Sequence, residues 1–118
     1  MNSRSAIIGF SQSEKIKAGL IWANQFVETI LGMPQQDRNG AEKALAVFIG
    51  MVASEIHVAQ KMSPDDRWPD ALQHVDRAMV MIRSSVLQEA PFHLSKALTV
   101  ITSIGHETMT DLVDKKLL

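Results

Sequence analysis

Four histidines and thirteen carboxylates are the residues of this 118-residue chain with the widest chemical reach. A carboxylate-bridged metal centre in a helical bundle needs Glu-x-x-His pairs on two helices, with further glutamates turned inward. No Glu-x-x-His occurs in this sequence. Glu55 and His57 are two apart and diverge on a helix. Asp70 and His74 are four apart, on a face that opposes Leu72, Val75 and Met79. Glu89 and His93 share that spacing but straddle Pro91. His106 with Ser103 and Thr99 lacks an acid to orient an imidazole, because Glu107 points elsewhere. There is no glycine-rich phosphate loop, no nucleophile elbow and no His-Glu-x-x-His. The expectation is no metal, no cofactor and no catalytic residue.

Two weaker patterns remain. His93 opens the stretch HLSKA, and histidine phosphotransfer domains carry His-x-x-Lys-Gly on a long helix of a four-helix bundle. The match is five residues long, has Ala97 in place of glycine and starts two residues after Pro91. It leaves phosphotransfer on His93 as a remote alternative and amounts to no family resemblance. Glu55 falls between two apolar stripes, where a carboxylate must reach water, find a cation or titrate high. Asp76 and Arg83, seven apart on the flank of the next helix, are the candidate partners. Glu55, Asp76 and Arg83 could therefore form a helix-registering ion pair or the polar spot of a small-molecule pocket.

The elements that would position these residues are helices. Four segments show apolar spacing of three and four, and none alternates as a strand. The first spans about 12–32, with Ser11 and Glu14 as a capping box and the stripe Ile16, Leu20, Ala23, Val27, Ile30. Gly32, in a left-handed conformation, and Pro34 are expected to end it. After a loop PQQDRNG, the second runs about 41–62 with Leu45, Phe48, Ile49, Val52, Ile56 and Ala59. The third starts either at Ser63-Pro64 or at Pro69, covering about 69–88 with Trp68, Leu72, Val75, Met79, Ile82 and Val86. The fourth spans about 92–114 with Leu94, Leu98, Ile101, Gly105, Thr108 and Leu112. Gly105 in that stripe points to close helix–helix approach, and Pro91 marks either a tight turn or a kink. Short links between amphipathic helices give an all-α, antiparallel up-down-up-down four-helix bundle in a single domain, 1–118, with residues 1–10 as an N-terminal arm.

The stretch ALAVFIGMVASEIHVAQKM, 44–62, carries more apolar surface than one core-facing stripe needs. Val47, Met51, Val58 and Met62, spaced four, seven and four, share a second face, and Trp22 lies off the stripe of the first helix. Either the N-terminal arm with Ile7, Ile8 and Phe10 covers that face, or a second copy related by a two-fold axis does. The homodimer is the preferred reading, with Trp22, Val47, Met51, Val58 and Met62 as interface. The polar face of the fourth helix (Ser95, Thr99, Thr102, Ser103, His106, Thr110) is rich in hydroxyls, which can bond back to the preceding turn.

Composition narrows the partners. The net charge is −1, with no Lys/Arg run, and aromatics make up 5% of residues, so nucleic acid is not an expected partner. No cysteine is present, which excludes disulfides and fits a reducing, cytoplasmic setting. The apolar stretch Ala6–Phe10 is too short for a signal core or a membrane span, and no membrane partner is expected. The functional expectation is a non-catalytic interaction, scaffold or adaptor protein, with a small-molecule-binding bundle as the alternative.

Overall fold

Asn2 starts the first helix. Its side-chain oxygen accepts the amide of Ser5 at 2.7 Å, satisfying a donor the first turn would otherwise leave free. From this cap the computed structural model, which describes all 118 residues, carries α1 unbroken from Ser3 to Leu31. The segment expected as an arm over 1–10 is therefore the opening of α1, and Ser11 lies inside the helix instead of capping it. The cause is a continuation of the core stripe in small residues. Ala6, Gly9 and Ser13 are buried at steps of three and four upstream of Ile16. Glu14, freed from any capping role, pairs with Lys17 at 3.0 Å.

The end of α1 also differs from expectation. Gly32 keeps a right-handed backbone, φ −83°, and no glycine in the chain has positive φ. Termination rests on Pro34, which disfavours helical backbone at the residue before it and cannot extend the ladder. Arg38 adds to it, its guanidinium donating to the carbonyls of Leu31 at 2.8 Å and Met33 at 3.1 Å. The expected loop is mostly structured, with a 3-10 turn at Gln35–Asp37 running into α2, Arg38–Met62.

Helix α3, Arg67–Arg83, starts between the two expected positions. Ser63 does not cap it. The Ser63 hydroxyl instead contacts both the hydroxyl and the carbonyl of Ser5, each at 2.9 Å, and its own carbonyl accepts the indole N–H of buried Trp68 at 2.8 Å. Asp65 takes the Arg67 amide at 2.8 Å and grips the guanidinium with both oxygens, while Arg67 reaches Glu107 at 2.7 Å. The helix stops at Arg83 because Ser85 turns left-handed, φ 61°. The amide of Val86 then bonds Met81 O at 2.9 Å and that of Ser85 bonds Ile82 O at 3.3 Å, a Schellman closure. After a 3-10 turn at Leu87–Glu89, α4 runs Ala90–Asp114. Pro91 sits in its first turn, where a missing N–H costs nothing. Helices three and four are thus a hairpin and not one kinked helix.

Neighbouring helices pair in opposite order along their lengths. On α1 and α2 the pairs are Ser5 with Ser63, Gln12 with Glu55 and Gly19 with Val52. On α1 and α4 they are Met1 with Lys115, Gly9 with Thr108 and Ser13 with Gly105. Each helix packs on two others and the diagonal pairs stay apart, giving a four-helix bundle of 53 × 21 × 18 Å. The expected stripes fill most of its centre, from Ile16 to Ile30 on α1, Leu45 to Ala59 on α2, Trp68 to Ile82 on α3 and Leu94 to Ile101 on α4. Phe48, Leu72, Met79 and Leu98 are only partly buried at its edge, however, and Ala71, Ala78, Ala97 and Ile104, outside the expected stripes, take places in the centre. The close approach expected at Gly105 is present, since a Cβ there would lie 2.9 Å from Ser13 Oγ.

Candidate interaction surface

Helix α2 spends one side on the core and leaves another bare. Leu45, Ile49, Val52, Ile56 and Ala59 are buried. On the outer side Val47, Met51, Val58 and Met62 expose 67%, 60%, 42% and 50% of their surface, and Trp22 on adjacent α1 exposes 62%. The N-terminal segment cannot cover them, because it is committed to α1. By length and apolar composition alone Gln35–Met62 would be long enough to cross a membrane; here it packs as one of four bundle helices.

Between α1 and α2, beside Trp22, lies an open groove of about 300 Å³. Its origin is local. Gly19 lets the two helices close until a Cβ would stand 3.0 Å from Val52 Cγ2, and Ala18 keeps the outer edge low. Trp22, Phe48 and Met51 form apolar walls, while Lys15 and Glu55 stand at one end.

Glu55 has found partners, though not the expected ones. Its Oε2 accepts Gln12 Nε2 at 3.2 Å and pairs with Lys15 Nζ at 3.1 Å, both from α1. The hydrogen bond from Gln12, then that from Lys15, holds the carboxyl below its ordinary value, the reverse of the rise that burial alone would cause. Asp76 and Arg83 are exposed and take no part. Arg83 instead borders a shallow depression with Asn39, Glu42, Lys43 and Val47. The short turn between α2 and α3 brings the end of α3 beside the start of α2. Arg83 therefore lies about 18 Å along α2 from Glu55, at 1.5 Å per residue from Lys43. Glu55 also projects toward α1, whereas α3 packs on another flank of α2. A polar spot joining Glu55 to Asp76 and Arg83 does not exist in this fold; the one that does joins Glu55 to Gln12 and Lys15.

His93 lies in the first turn of α4, its Nδ1 buried without a hydrogen-bond partner and its ring edge-on to Phe92 at 5.3 Å. Lys96 sits over the Phe92 ring at 4.4 Å. The Nδ1 of His93 is thus turned inward, and the Lys96 ammonium is engaged by the Phe92 ring. On the outer face of α4, Thr99 bonds back to Ser95 O at 3.1 Å and Ser103 to Thr99 O at 3.2 Å, so part of its hydroxyl set is used locally. No group of three or more His, Asp or Glu side chains converges as metal ligands would.

Lys15, Ala18 and Gly19 escape a reading by hydrophobic stripe because each looks ordinary alone. The usable signal is that Lys15, Ala18 and Trp22 recur at steps of three and four, on the side of α1 away from its core stripe. Comparison with family models, curated proteins and solved structures gives no match.

Proposed function

We propose that this bundle is a non-catalytic interaction protein, a scaffold or adaptor, that self-associates through the exposed apolar face of α2 and Trp22. The observation that carries the reading is the concentration of large apolar side chains there. Together the five exposed side chains leave on the order of several hundred Å² uncovered, comparable to the largest patches of monomers. The absence of cysteine fits a reducing, cytoplasmic setting.

Native mass spectrometry tests this reading. The expected result is a species of twice the chain mass that reverts to the single chain in Met51→Glu or Val58→Glu with helicity retained. A wild-type chain that stays single at every concentration refutes it. The groove beside Glu55 supports a second reading, a small-molecule-binding bundle. That reading expects a co-purifying mass, lost in Glu55→Gln.

A further inference from the structure

We infer that two copies interlock reciprocally, the Trp22 indole of each seated in the α1–α2 groove of the other; this rests on the self-association proposed above. A two-fold interface presents the same patch on both subunits, so a protrusion must find its recess on the face that carries the protrusion itself. Trp22 and its groove meet that condition side by side. Trp22 stands on the groove's rim, projects from the interior of a 29-residue helix and is 62% exposed. The recess is apolar along Ala18, Gly19, Phe48 and Met51.

The chemistry of the recess matches an indole. An indole is an apolar body with a single N–H donor and no acceptor, and when buried that donor needs a partner. The groove is an apolar trough with a carboxylate at one end. Glu55 Oε2 is occupied by Gln12 and Lys15, while Oε1 accepts no hydrogen bond within the chain. Because Lys15 already neutralises Glu55, the groove carries no unpaired charge to select a charged ligand, but it retains one open acceptor. The exposed area around it, including Val47, Val58 and Met62, supplies the surround that a central aromatic anchor needs to exclude water.

The test is a pair of complementary variants. Trp22→Ala removes the protrusion and with it one wall, leaving the floor along Ala18, Gly19, Phe48 and Met51 open; Ala18→Phe fills that floor and leaves the protrusion. Each alone is expected to weaken self-association on the order of 30-fold or more, the loss typical of a central hot spot. An equimolar mixture is expected to recover part of the association as a heterodimer, because one of the two reciprocal contacts forms: the intact Trp22 of the Ala18→Phe chain meets the open groove floor of the Trp22→Ala chain. Trp68 is fully buried, so a blue shift of tryptophan emission as the wild-type protein is concentrated reports Trp22 leaving water. If Met51→Glu breaks the dimer while both new variants associate like wild type, the interlock is wrong and the self-association reading stands. Variants that weaken singly but do not recover when mixed also overturn the interlock. A wild-type chain that is always single, or single with a bound small molecule, overturns both. Should Ala18→Phe lose helicity, Ala18→Leu, which fills the same groove floor with less bulk, takes its place in the mixture and decides by the same recovery.

Discussion

Two glycines set up a comparison in which the same substitution should have opposite signs. A Cβ at Gly9 would lie 2.9 Å from Thr108 Cγ2 and 3.2 Å from Ser63 Oγ, whereas a Cβ at Gly50 meets nothing within 4 Å. Both sit in helix interiors, so alanine gains about 0.5–1 kcal/mol of backbone preference at each. At Gly50 that gain stands alone. At Gly9 it competes with overpacking, which costs about 1–3 kcal/mol in a closed site. Thr108 has little room to yield: it is buried, β-branched, and its hydroxyl is held by Ile104 O at 2.9 Å and Gly105 O at 3.1 Å. Gly9→Ala should therefore lose about 1 kcal/mol net, and Gly50→Ala should gain somewhat less than that. For a chain of this size the unfolding entropy is about 0.25 kcal/mol/K, so 1 kcal/mol moves Tm by about 4 °C. Thermal unfolding by circular dichroism at one low concentration should place the two variants roughly 6–8 °C apart, on either side of wild type. A Gly9→Ala protein as stable as wild type would refute the claim that α1 and α4 touch backbone to side chain along this seam.

Two further outcomes follow from helix ends. Ser85→Gly should raise stability by about 0.5–1 kcal/mol in urea titrations, because Ser85 sits at φ 61° where a Cβ is strained and glycine is not; an unchanged or lower midpoint would contradict the Schellman closure of α3. Asp65→Asn should cost about 1 kcal/mol near neutral pH by breaking the forked contact to Arg67. The hydrogen bond from Arg67 holds the native Asp65 carboxyl below its ordinary value of 3.8, so on acidification the unfolded chain takes up the proton first. The wild-type advantage is therefore complete above that value and lost as pH falls below it. Stability curves of the two proteins that keep a constant gap down to pH 3 would rule the pairing out.

Much of the fold is legible in the order of residues, because helix identity needs only local spacing. Ile16 to Ile30 repeat at three and four and are buried throughout, and so are most of Leu45 to Ala59 and Leu94 to Leu112. On the third helix the buried side is shifted by one residue, with Ala71 and Ala78 in the core and Leu72 and Met79 at its edge. The same geometry marks Val47, Met51, Val58 and Met62 as a separate face before any neighbour is known. Hydrophobicity alone fails where the stripe continues in residues that are small. Ala6, Gly9 and Ser13 extend the core of α1 by close approach rather than by apolar bulk, and so the first turns read as an arm. Helix ends are also hard to read, since Ser63 and Ser11 have the chemistry of caps but Ser63 is engaged by α1 and Ser11 stays within an unbroken helix.

What only the tertiary structure decides is which helices share a side. Glu55 is half-exposed, and its spacing allows a partner on either neighbour. The register of α1 against α2 brings Gln12 and Lys15 to it, while the tight α2–α3 turn sends Arg83 to the opposite end of α2. The groove beside Trp22 has the same origin. It exists because Gly19 meets Val52 across the α1–α2 contact, a meeting of residues 33 positions apart that no local period encodes. Spacing along one helix fixes which faces are apolar; the order and register of helices determine what those faces can hold.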